Sequence, residues 1–88
     1  MNDRRHQILE KILKERERQL NLVGSEFDVD NSPNDWVSIA LSYLCEEIRR
    51  NGQTPTVESF EDSLTKAAAL IVAALEYSEH MKDTGKLK

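Results

Sequence analysis

The stretch Lys66 to Glu76, KAAALIVAALE, decides the fold. Nine consecutive apolar residues, Ala67 to Leu75, are closed by a charge at each end. Ala and Leu favour helix, so this run reads as the middle of one long helix. A helix that is apolar all round must be covered all round. The chain has 88 residues, few of them free to do the covering. A core of that size is marginal alone, and oligomerisation is a common remedy. The expectation is an all-α, single-domain protein (residues 1–88) that forms a helical homo-oligomer, with a twofold dimer as the default symmetry. The nine apolar residues are about half of the roughly 20 that a membrane span requires, so no membrane partner is expected.

Working outward, Leu64 to Lys66 and Val57 to Phe60 continue the helix towards Thr54 or Thr56, and the pattern extends to about Lys82. The spacing predicts a long Ala-rich third helix over 56–82. One apolar stripe on it is Val57, Phe60, Leu64, Ala67, Ile71 and Leu75; a second is Leu70, Ala73 and Tyr77. Two stripes imply two packing partners. The chain's first two helices are one, and a neighbouring subunit, meeting the second stripe, is the other. The tail after Met81 is expected to fray.

Upstream, Ser32-Pro33 opens a second helix over 33–51: Ser is a good N-cap and Pro suits the first helical position. Asp35 stands at capping-box spacing from Ser32. Trp36, Val37, Ala40, Tyr43, Leu44 and Ile48 give this helix an apolar face, Arg49 and Arg50 fall in its last turn, and Asn51-Gly52 ends it. A first helix over 3–22 carries a face of Ile8, Leu9, Ile12, Leu13, Leu20 and Val23 at spacings of three and four, with Gly24 as a stop. Ser25 to Ser32 reads as a polar, turn-rich connection.

The net charge of −4 and pI near 5.1 argue against general nucleic-acid binding, which needs a basic footprint. Cys45 is the only cysteine and reads as a reduced core residue, and no secretory signal is evident, so a cytoplasmic location is expected. Phosphate-binding glycine loops, HExxH and CxxC are absent. His6 and His80 read as solvated, and the Asp28-Val29-Asp30 loop lacks the Gly and Glu of a calcium site. No catalytic residue, metal ligand or cofactor is assigned.

Three features are candidates for a binding site. Lys66 lies on the second stripe with Tyr77, and a cation beside an aromatic ring at a subunit boundary suits a nucleotide or another small anion. Asp62, four residues back, is placed to pair with Lys66. Arg4, Lys11, Lys14 and Arg18 fall within about 80° on the first helix, a ridge suited to phosphate groups. Glu58/Glu61 and Glu76/Glu79 form two ExxE pairs. All-α nucleotide pyrophosphohydrolases of the MazG kind set comparable pairs on different helices around magnesium. Here one continuous helix would hold the pairs roughly 27 Å apart, so they could meet only between subunits.

The pieces ERERQ (Glu15 to Gln19), Gly24, NDWVSIALSYL (Asn34 to Leu44) and LTKAAALIVAALE (Leu64 to Glu76), in this order, resemble a group of short helical phage and bacterial proteins. Relatives of that group carry the description dATP/dGTP diphosphohydrolase, N-terminal region. The resemblance covers roughly residues 9 to 77. It implies a phage-type or bacterial protein and adds nucleotides as ligands, but supplies no catalytic residues. The leading expectation is a non-enzymatic accessory protein binding a small anionic ligand, plausibly a nucleotide, at a subunit boundary. The alternatives are a protein-interaction module acting on a host protein and a magnesium-dependent nucleoside triphosphate pyrophosphohydrolase.

Overall fold

The computed structural model describes residues 2–48 and 52–88, all of whose regular elements are helical. Helix α1 runs over Asn2–Leu20, α2 over Pro33–Ile48, α3 over Val57–Glu76 and the short α4 over Ser78–Asp83; a 3-10 helix over Ser25–Asp30 joins α1 to α2. The sequence expectation that Arg49, Arg50 and Asn51 complete the second helix lies outside the described residues.

Local chemistry sets the boundaries. Gly24, at φ 94°, takes a left-handed conformation that stops α1 at the turn beyond Leu20 and starts the 3-10 helix, where a plain connection was expected. At the start of α2, Ser32 and Asp35 cap reciprocally. The Ser32 N–H donates to Asp35 Oδ2 at 2.8 Å, and the Asp35 N–H donates to Ser32 Oγ at 3.1 Å. Thr56 caps α3, its Oγ1 accepting the Ser59 N–H at 3.1 Å.

The predicted third helix over 56–82 is two helices. The chain bends at Tyr77, whose φ of −89° and ψ of 0° lie in the bridge region. Ser78 Oγ donates to the Leu75 carbonyl at 2.8 Å, satisfying one acceptor exposed by the bend. The bend carries Met81 into the core beside Trp36 and Ala73. Burying a large apolar side chain is worth about 1.5–3 kcal/mol, which favours the bend. The tail is also held rather than frayed. Gly85, at φ 81°, turns the chain so that the Lys86 and Leu87 N–H groups return to the Met81 carbonyl at 2.7 and 3.0 Å. Lys86 Nζ then donates to the Asp30 carbonyl at 3.0 Å.

Helix α3 packs against both α1 and α2. Arg4 reaches Glu61 and Arg16 reaches Glu76, so α1 runs parallel to α3. Trp36 stacks on Tyr77 and Tyr43 lies by Lys66, so α2 runs antiparallel. The core at the Tyr77 end is Trp36, Ala73 and Met81, with Leu70, Ala74 and Tyr77 packed around it. Trp36 and Tyr77 stack with ring centroids 5.4 Å apart.

Candidate functional site

Two features stand out on this scaffold, an uncovered apolar face and a polar cleft. The face follows from the helical register of α3. Ala69 and Ala73 turn inward and are fully buried. On the other side, Val57, Phe60, Leu64, Ile71 and Leu75 recur at spacings of three, four and seven, and all are exposed. The assignment of the two stripes is therefore the reverse of the sequence expectation. Leu70, Ala73 and Tyr77 pack within the chain, and the longer stripe faces out, apart from its buried Ala67. Neighbouring helices extend that face. Ile8 of α1 lines a groove with Phe60 and Leu64, and Val37 and Leu41 of α2 line another, almost wholly apolar, with Ile71 and Leu75.

The total accessible surface is also large. It is 6689 Å² for a 10.1 kDa chain, whereas a compact monomer of that mass exposes about 5300 Å². The radius of gyration is 14.6 Å, against about 12 Å for a compact chain of this length.

The cleft lies where the end of α1, the 3-10 helix, α2 and α3 meet, and has a volume of about 250 Å³. Arg16 and Gln19 of α1, Asp28 of the 3-10 helix, and Trp36 and Tyr43 of α2 contribute to its walls. Arg16 is buried, and its Nε donates to Glu76 Oε1 at 2.6 Å. Burial pushes the Asp28 carboxyl above the usual range, and the nearby Arg16 offsets this only in part. Gln19 Nε2 donates to Glu15 Oε2 at 3.1 Å. Two buried polar atoms of the cleft residues, Gln19 Oε1 and Trp36 Nε1, have no hydrogen-bond partner. Sequence reading missed Arg16 and Gln19. Their signal was positional: on a helical wheel both fall inside the arc spanned by Ile8, Leu9 and Ile12.

The residues singled out from sequence are dispersed. Lys66 Nζ is 2.8 Å from Asp62 Oδ2 and 6.0 Å from the centre of the Tyr43 ring. The Asp62 carboxylate holds the ammonium above its ordinary range. Tyr77, stacked on Trp36, is roughly 16 Å further along the helix. The structure therefore does not bring Lys66 and Tyr77 together. Lys11, Lys14 and Arg18 do share a cleft, of about 460 Å³, but Glu15 of their own helix and Glu58, Glu61 and Asp62 of α3 line it with them. Carboxylates outnumber cations in that lining, so its field does not select for an anion. Arg4 is 3.5 Å from Glu61, and Arg18 pairs with Glu15 at 2.7 Å. Glu58 and Glu61 are at one end of α3, Glu76 is at the other, and Glu79 lies beyond it in α4.

No group of three or more His, Cys, Asp or Glu side chains able to hold a metal occurs among the described residues, and no helix among them is long and apolar enough to cross a membrane. Comparison with known protein families, curated proteins and solved structures gave no match.

Proposed function

We propose that this protein is a non-enzymatic helical interaction module that assembles with copies of itself through the outer face of α3. The observation that carries this reading is the exposed row Val57, Phe60, Leu64, Ile71 and Leu75. Its heptad-like spacing suits a facing helix. The surface in excess of a compact monomer is about 1400 Å² per chain. Covering that much on each of two chains falls in the range of obligate homodimers, about 2000–5000 Å² in total. An acidic, charge-rich remainder keeps such an assembly soluble. From the resemblance alone, we further propose a phage-type or bacterial accessory role in the cytoplasm, with a host protein as the eventual target.

Two charged substitutions test the face. Leu64→Glu with Ile71→Glu is expected to give a monomer by sedimentation velocity while keeping the helical circular-dichroism signal. An unchanged sedimentation coefficient in a folded double variant would remove the face as the interface.

The reading as a binder of small anions at a subunit boundary draws less support. Lys66 is held by Asp62, and Tyr77 is committed to Trp36. The hydrolase reading requires the two ExxE pairs to meet between subunits, and Glu76 is already held by Arg16. We expect no pyrophosphate release from dATP or dGTP with magnesium. Release abolished by Glu61→Gln would place the protein among the hydrolases instead.

A further inference from the structure

We infer that the cleft between α1, the 3-10 helix, α2 and α3 binds a free α-amino acid with an apolar side chain, its carboxylate on Arg16 and its ammonium on Asp28. The inference starts from charged groups whose bonding capacity the fold leaves unused. Arg16 is 5% exposed, yet it spends only its Nε–H, on Glu76 Oε1 at 2.6 Å. Its Nη1 and Nη2 make no hydrogen bond among the described residues. The carboxylate oxygens of Asp28 likewise accept none among them. Gln19 Oε1 and Trp36 Nε1 are the only sealed side-chain polar atoms without a partner among the described residues. The unbonded ends of Arg16 and Asp28 are therefore reached by solvent. Both residues line this cleft. The guanidinium acts electrostatically on the Asp28 carboxyl, so the two charged ends lie near each other. They form no ion pair with each other. Native structures leave few buried charges so poorly met, because each is costly to desolvate.

The two groups together select the ligand. The paired Nη1 and Nη2 amines suit a carboxylate, which they can hold through two parallel hydrogen bonds. A simple anion would also meet the charge of Asp28, and a simple cation that of Arg16. A zwitterion satisfies both, and an α-amino acid carries its two charges on one carbon. Its ammonium would supply the partner that Asp28 lacks; burial already holds that carboxyl above the usual range. Arg18 adds no free cation, because two hydrogen bonds bind it to Glu15. Leu22, Ile39 and Leu70 give the same cleft an apolar wall for the ligand's side chain. A volume of about 250 Å³ admits one amino acid and is small beside the sites of larger ligands. Every wall residue comes from one chain, so this site does not depend on self-assembly.

Titration with L-leucine and, separately, with L-phenylalanine at millimolar concentration tests the site, read from 15N–1H amide signals of Ser25, Asp28 and Asn31 in the cleft wall. A saturable shift is expected with at least one of them, and the stronger binder names the preferred side chain. N-acetyl-L-leucine lacks the ammonium and L-leucinamide lacks the carboxylate; for a leucine response each should bind at least tenfold more weakly, and the corresponding phenylalanine derivatives serve for a phenylalanine response. Asp28→Asn removes a buried charge, so it should fold, keep the helical circular-dichroism signal and bind at least tenfold more weakly. No saturable shift with either amino acid overturns the proposal. So does equal binding of the acetylated form, which would make the site one for carboxylates alone, or equal affinity in the Asp28→Asn variant. The Leu64→Glu, Ile71→Glu double variant should bind as the wild type does, so a failure of self-assembly leaves this test intact.

Discussion

Trp36 ties three elements together, stacking on Tyr77 and packing on Ala73 and Met81 while 3% exposed. Trp36→Ala is expected to cost about 3–5 kcal/mol, a large share of the stability of a small domain. Thermal unfolding by circular dichroism checks this. The reciprocal cap at Ser32 and Asp35 makes a smaller contribution: Ser32→Ala should cost about 1 kcal/mol and lower Tm by roughly 4–8 °C. The two aspartates beside it respond to pH in opposite senses. The Ser32 N–H, followed by its hydroxyl, holds the Asp35 carboxyl below the usual range. A depressed folded-state pKa means stabilisation that is full above the unfolded value, about 3.9, and is lost as pH falls through the lower folded value. Asp35→Asn should therefore lower Tm at pH 7, with the two melting curves converging in strong acid. Burial raises Asp28 instead. Its charged form is penalised above the raised folded value, and the penalty lifts as pH falls through it. Asp28→Asn should raise Tm at neutral pH and give no gain at acid pH. The cap and the apolar role of Trp36 were legible because both are written in residue type and local spacing. The burial of Arg16 and Gln19 was not, because residue type points long polar side chains outward and only their position on the wheel points in.

Among the elements, α3 shows both the reach and the limit of periodicity. Both stripes were readable from sequence. Which one faces inward was not, because small alanines and large aliphatics each satisfy a hydrophobic pattern. The structure buries the alanine side, where close approach allows α1 and α2 to pack, and leaves the bulky row outside. Ala73 is 1% exposed, so Ala73→Glu should unfold the chain, whereas Ile71→Glu should leave it folded and change only its assembly. Paired circular dichroism and sedimentation distinguish these outcomes. The bend at Tyr77 escaped sequence reading because no Gly or Pro marks it. It arises from the long-range gain of seating Met81 on Trp36, which outweighs local helix propensity. The stop at Gly24 was legible, since only glycine takes φ 94° without strain. A Cβ there would meet nothing within 4 Å, so Gly24→Ala should cost only its backbone strain, about 1–2 kcal/mol.

For the whole molecule, the account depends on surface. Among the described residues, α1 and α2 pack on one flank of α3, and Val57, Phe60, Leu64, Ile71 and Leu75 on its other side stay exposed. A fold of this kind either finds a partner or exposes an aggregation-prone face. The sequence carried that conclusion in outline, since KAAALIVAALE is apolar on every side. Charge patterning was a poorer guide. The basic ridge of α1 and the carboxylates of α3 lie at unrelated places in the chain, and only the parallel packing of the two helices sets them against each other. The most direct test of the central claim is the mass of the wild-type protein in solution, by size-exclusion chromatography with light scattering at micromolar concentration. A mass at least twice the 10.1 kDa of one chain is the expected result; a monodisperse species of one chain's mass would contradict it.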